Sequence, residues 1–138
     1  MNDQYAWGNL FLRLGLGFVF VFTGIAKLFL GLVPAEPIGA ILNAIGMGAL
    51  STTGFGMFLG ILELMVGLMM ILGLFTKIVG WVTAIMLLSF IIGVSVILGA
   101  GLMQPMFMFK DIGLLAGALC LGFQGAPGIS LDAVLWHK

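Results

Sequence analysis

Apolar residues run through this chain in four long, uninterrupted stretches with no in–out alternation. That pattern predicts membrane-crossing helices over about residues 8–32, 54–74, 78–101 and 105–123 and argues against barrel strands. A helix rising about 1.5 Å per residue needs about 20 residues to cross a hydrocarbon core of about 30 Å, and each stretch meets that length. Phe75-Thr76-Lys77 is a tight turn, so the second and third helices are antiparallel neighbours. The first connection, Val33 to Thr53, is longer and holds Ile38, Ile41, Leu42 and Ile45 at i, i+3, i+4, i+7, with Pro37 placed to start a helix. That segment is too short to span and predicts a helix lying in the interface. The expected fold is an all-α membrane protein, an antiparallel four-helix bundle with a short interfacial helix, forming a single domain over 1–138. Ser130 is placed to cap a final short turn, and Trp136 to anchor it at the headgroups.

Composition agrees with that solvent. Of 138 residues, 62% are hydrophobic and 7% charged, against about 25% charged in a soluble domain. Tyr5 and Trp7 suit an interfacial belt. Met1-Asn2-Asp3-Gln4 lacks the basic region of a cleavable signal peptide, so the first stretch is expected to stay as a span. Arg13, Lys77 and Lys138 lie toward one side, Lys27 and Lys110 toward the other, which points to cytoplasmic termini. A net charge of zero gives nucleic acid no electrostatic purchase. The single cysteine, Cys120, can form neither an internal disulfide nor a CxxC pair. No motif for haem, flavin or an iron–sulfur cluster is present, and no metal site is expected. Met103, Met106 and Met108 offer soft sulfur that suits Cu(I), but ten methionines in an apolar chain read better as adaptable packing. His137, beside the last residue, is expected to be solvated.

The 22 glycines are arranged rather than scattered. Gly56, Gly60, Glu63 and Gly67 share one stripe of the second helix. Arg13, Gly17, Phe20, Gly24, Lys27 and Gly31 share one on the first, and Lys110, Gly113, Gly117, Cys120 and Gln124 one on the fourth. Small residues let helix backbones approach closely in lipid, so Gly17, Gly24, Gly56, Gly60, Gly67, Gly113 and Gly117 are expected at helix contacts. Gly56-x-x-x-Gly60 also leaves a homodimer open. The third helix, with only Gly80 and Ala84, reads as scaffold.

The charges ride on the same stripes, away from lipid. Arg13 and Lys27 have side chains long enough to reach opposite interfaces. Lys110 and Asp111 stand near the start of the fourth helix, where Asp111 suits the helix dipole. Glu63 is different: nine residues into a helix of about twenty, it is too deep for its short side chain to reach water. It must be protonated, paired with Arg13 or Lys27, or exposed to a polar cavity. It is the candidate catalytic or ligand residue, with Arg13, Lys27, Lys110 and Asp111 as its charge network. A register-fixing ion pair is the competing reading.

Four segments together resemble the DoxX family of small membrane proteins. They are Arg13 followed by Gly24-x-x-Lys27; Glu63-x-x-x-Gly67 with Gly73-x-x-Thr76; Lys110-Asp111-x-x-Leu114-Leu115; and Gly125 with Ser130-Leu131-Asp132. The resemblance implies an antiparallel four-helix bundle and kinship with a thiosulfate:quinone oxidoreductase subunit. Other DoxX-like proteins look like membrane partners of redox enzymes or receptor-assembly chaperones. On this reading the chain is a membrane subunit of a quinone-linked oxidoreductase. Quinone is then its small-molecule partner, a second subunit its electron donor, and Phe18, Phe20 and Phe22 the walls of the site. A non-catalytic scaffold or assembly factor is the alternative, and a small transporter or proton relay ranks last.

Overall fold

Residues 3–97, 105–126 and 128–136 are described by a computed structural model of the chain. Those residues form α1 (Asp3–Phe29), α2 (Ala35–Ala44), α3 (Thr52–Leu72), α4 (Thr76–Ile92), α5 (Pro105–Gln124) and α6 (Leu131–Trp136). A π-helical turn over Gly93–Ile97 extends α4. No strand occurs among the described residues. Three segments, Gln4–Phe29, Thr52–Leu72 and Thr76–Ser95, are long and apolar enough to cross a membrane. Their outer faces carry exposed Phe11, Phe18, Phe22, Ile61, Met65, Ile78 and Ile85, a surface that a bilayer and not water can cover. The protein is a multi-pass integral membrane protein.

Local signals explain the boundaries. Ser51 caps α3, its Oγ accepting from Gly54 N at 3.2 Å. Gly73 ends it at φ 66°, with Gly73 N donating to Met70 O and Leu74 N to Met69 O, the pattern in which a left-handed glycine closes the last turn. α1 stops at Phe29, three residues short of the expected end, and Gly31 at φ 65° turns the chain toward α2. The short helix expected in the first connection is present over Ala35–Ala44. Pro37 sits in its first turn, where a missing N–H is harmless, while Ile38 and Leu42 are buried. The π turn carries α4 on to Ile97; residues 98–104, including Gly101 and Met103, lie outside those described.

Packing follows the glycines of α1 and α3. A Cβ on Gly24 would lie 2.7 Å from Gly60 O and 2.8 Å from Leu64 N. One on Gly67 would lie 2.7 Å from Val21 N and 2.8 Å from Gly17 O. These contacts place residue 17 against 67 and 24 against 60, as two antiparallel helices in close register require. α4 and α5 make a second tight pair at Gly80, whose Cβ would lie 2.5 Å from Gly122 N. Leu16, Phe20, Val66, Met70, Val79, Ala84, Leu87, Ala118 and Leu121 fill the space between the two pairs.

Two expectations about packing need correction. Gly113 is exposed and has nothing near it; the packed face of α5 runs instead through Asp111, Ala118, Leu121 and Gly122. Lys110 and Gln124 are also exposed, so the stripe drawn through Lys110, Gly113 and Gln124 is rotated away from the true contact face. Gly117, at its edge, still meets Leu12 and Leu16 of α1.

Candidate functional site

Glu63 is the twelfth of the 21 residues of α3, which at about 1.5 Å per residue puts it about midway along a helix of about 31 Å. Gly60, one turn away, brings the α1 backbone close: its Cβ would lie 3.0 Å from Lys27 Cβ. Lys27 is thereby set beside Glu63, and its Nζ donates to both carboxylate oxygens, at 2.6 and 2.5 Å. The two side chains are 13% and 16% exposed. An isolated carboxylate at this depth costs several kcal/mol, and a two-oxygen contact with an ammonium offsets much of that cost. The pair is electrically neutral and holds α1 and α3 in one axial register.

Arg13 does not join it. It is 1% exposed and lies 14 residues before Lys27 on α1, against Gly73, which ends α3. Its Nη2 donates to Ile129 O in the segment after α5, while Nε and Nη1 have no hydrogen-bond partner. Asp132 supplies the opposing charge that acts on it. Asn9, one turn earlier on α1, donates from Nδ2 to Gly125 O at 2.8 Å. The C-terminal segment is thus tied to α1 at two points.

The same segment closes the α3–α4 turn. Asp132 accepts from Phe75 N at 2.7 Å and Thr76 N at 2.8 Å, capping α4, and its own N–H donates to Gly73 O at 2.9 Å. Phe75, at φ 49°, is in a left-handed conformation that a bulky residue rarely adopts, and the Asp132 carboxylate holds it there. Ser130 caps α6, its Oγ accepting from Ala133 N at 3.0 Å.

Lys110 and Asp111 form a neighbouring pair, Nζ to Oδ1 at 2.9 Å. Asp111 is buried, in the second turn of α5 rather than at its cap, while Lys110 is exposed. Phe18 and Phe22 face outward and Phe20 packs in the core, so the three do not wall a common site. The side chains of Met106 and Met108 fall outside the described residues, as do Met103, His137 and Lys138, and the side chain of Trp136. Cys120 lies in a cleft of about 270 Å³ between α1 and α5, lined also by Gln4, Tyr5, Asn9, Leu12 and Gln124.

Residues 5–105 match the family of the methylamine utilisation protein MauE. The chain belongs to that family. This corrects the DoxX assignment. The segments that carried the resemblance are mostly those that build the fold: close-packing glycines, the Lys27–Glu63 pair, and the Gly73, Thr76 and Asp132 closure. Such features recur wherever short helices pack in lipid and so do not single out one family. No curated protein and no solved structure matches the chain significantly.

Asn9 was not singled out from the sequence, although its place four residues before Arg13, on the same face of an apolar helix, is a readable signal. Thr76 entered as part of a turn and through the resemblance, Asp132 only through the resemblance. Their pairing across 56 residues has no periodicity to betray it.

Proposed function

We propose that this chain is a non-catalytic membrane subunit serving methylamine utilisation, an accessory or assembly partner whose buried charges set the architecture it presents to other proteins. The observation that carries this reading is the two-oxygen contact of Lys27 with Glu63, which leaves the one mid-depth carboxylate engaged within the chain. The family's description supplies the physiological setting. α5 serves as a fourth span on this reading. Asn9 of α1 meets Gly125 after α5, so the first part of α1 and the segment after α5 gather at one end of the molecule. An even number of crossings returns a chain to its starting side. The distribution of Arg13, Lys77 and Lys138 supports a cytoplasmic position for that side.

A quinone-linked redox subunit is the second reading. It is favoured by the residual exposure of Lys27 and Glu63, which leaves the pair within reach of a polar headgroup in the bilayer. One experiment separates the two. In a methylamine-utilising host lacking its own family member, an accessory subunit tolerates the neutral pair Lys27→Met with Glu63→Leu. Growth on methylamine and co-extraction of the partner protein are then retained. Loss of growth with the protein still folded, together with loss of a stoichiometric quinone in native mass spectrometry, would establish the redox reading instead.

A further inference from the structure

Among the described residues, three buried side-chain polar atoms lack any partner: Arg13 Nε, Arg13 Nη1 and Thr76 Oγ1. They belong to one region. Arg13 packs against Gly73, and Thr76 opens α4 three residues later. Both residues are 1% exposed. Phe75 and Thr76 present their backbone N–H groups to the same region, at the positive end of a 17-residue helix. Lys77 adds a further positive charge, its stem lying against Gly125.

The donors outnumber the acceptors. One carboxylate, from Asp132, and one carbonyl, from Ile129, accept from two backbone N–H groups and a guanidinium, while the Thr76 hydroxyl and two guanidinium nitrogens have no partner. Buried unpaired donors cost about 1–3 kcal/mol each and persist where a group that satisfies them is missing. Asp132 is itself an anion seated on a helix N-terminus, and it rides on a short segment attached through a few hydrogen bonds. The arrangement is that of an oxyanion site filled from within.

We propose that the α4 N-terminus, Arg13 and Thr76 form a phosphate-binding site, which Asp132 occupies in this conformation and which a phosphate group takes when the C-terminal segment lifts. A phosphate has enough oxygens to accept from Phe75 N, Thr76 N, Thr76 Oγ1 and the free guanidinium donors together. Its source is a phospholipid headgroup or free phosphate. The site lies toward the end of α1 that carries Tyr5 and Trp7, where headgroups are found.

The test uses the full chain in a phosphate-free maltoside detergent. Inorganic phosphate and a short-chain phosphatidylglycerol are added separately to wild type, Asp132→Asn and Asp132→Asn/Arg13→Gln. The site predicts a saturable rise in thermal midpoint for Asp132→Asn, larger than in wild type. Removing Arg13 should weaken binding by roughly tenfold or more, the worth of one charge-assisted hydrogen bond. A response to the lipid alone identifies a headgroup site, and a response to both identifies a site for phosphate itself. No shift in Asp132→Asn with either probe, or a shift that survives the loss of Arg13, overturns the proposal. Hydrogen exchange on wild type gives an independent reading should the variants not fold: phosphate should speed exchange over residues 128–136. Unchanged exchange at saturating probe contradicts displacement of Asp132.

Discussion

Two glycines nine residues apart in α1 should respond to the same added methyl with opposite sign. Gly24 and Gly15 both lie within α1, but a Cβ on Gly24 meets Gly60 O at 2.7 Å and Leu64 N at 2.8 Å, whereas one on Gly15 meets nothing within 4 Å. The atoms facing Gly24 are backbone, so no rotamer change relieves the clash. α1 and α3 must move apart by more than half an ångström along the interface that Gly17, Gly60 and Gly67 also use. Overpacking of this kind costs about 1–3 kcal/mol. At Gly15 the methyl enters open space on the lipid face and removes glycine's helix penalty, a gain of about 0.5–1 kcal/mol. Gly24→Ala should therefore be less stable than Gly15→Ala by about 2 kcal/mol or more. Reversible unfolding in bicelles by added SDS, followed by far-UV circular dichroism, measures both. Equal stabilities would mean that α1 and α3 do not pack as closely as described here, and the register of Lys27 against Glu63 would fall with that contact.

Gly73→Ala should be worse than its φ of 66° alone requires, since the new methyl meets both Arg13 and Ser130. A loss of about 2–4 kcal/mol in the same assay is expected from left-handed strain and a displaced charged hydrogen bond. Asn9→Ala removes the hydrogen bond to Gly125 O and should cost about 1 kcal/mol. Its signature is faster hydrogen exchange over residues 128–136 with α3 unchanged; a uniform increase would refute local anchoring.

Much of this was legible in the sequence because lipid makes small residues and charges informative. The α1 and α3 glycine stripes marked a real contact, and the proline and i, i+3, i+4 pattern of residues 35–44 marked α2. α5 failed because two stripes compete on one glycine-rich helix. Gly113 and Gly117 point to one face, yet the contact is set by Gly122 meeting Gly80, and only the partner helix reveals that. For the charges, spacing placed Lys27 and Glu63 on their stripes but left Arg13 an equal candidate partner for the carboxylate. Antiparallel register decided it, setting Arg13 against Gly73 and Lys27 against Gly60. The closure by Asp132 was beyond local reading, since it joins residues 75–76 to 132 through backbone donors that any sequence would offer.

The most direct test of the architectural role of the mid-depth charges is a double-mutant cycle on Lys27→Met and Glu63→Leu, with stability read in bicelles. Each single change strands one charge in apolar surroundings and should cost about 3 kcal/mol, while the double change should recover most of that loss. A double variant as stable as wild type, or nearly so, is the predicted result. Additive losses, with the double variant worst of all, would contradict the ion pair and with it the reading of Glu63 as a structural residue.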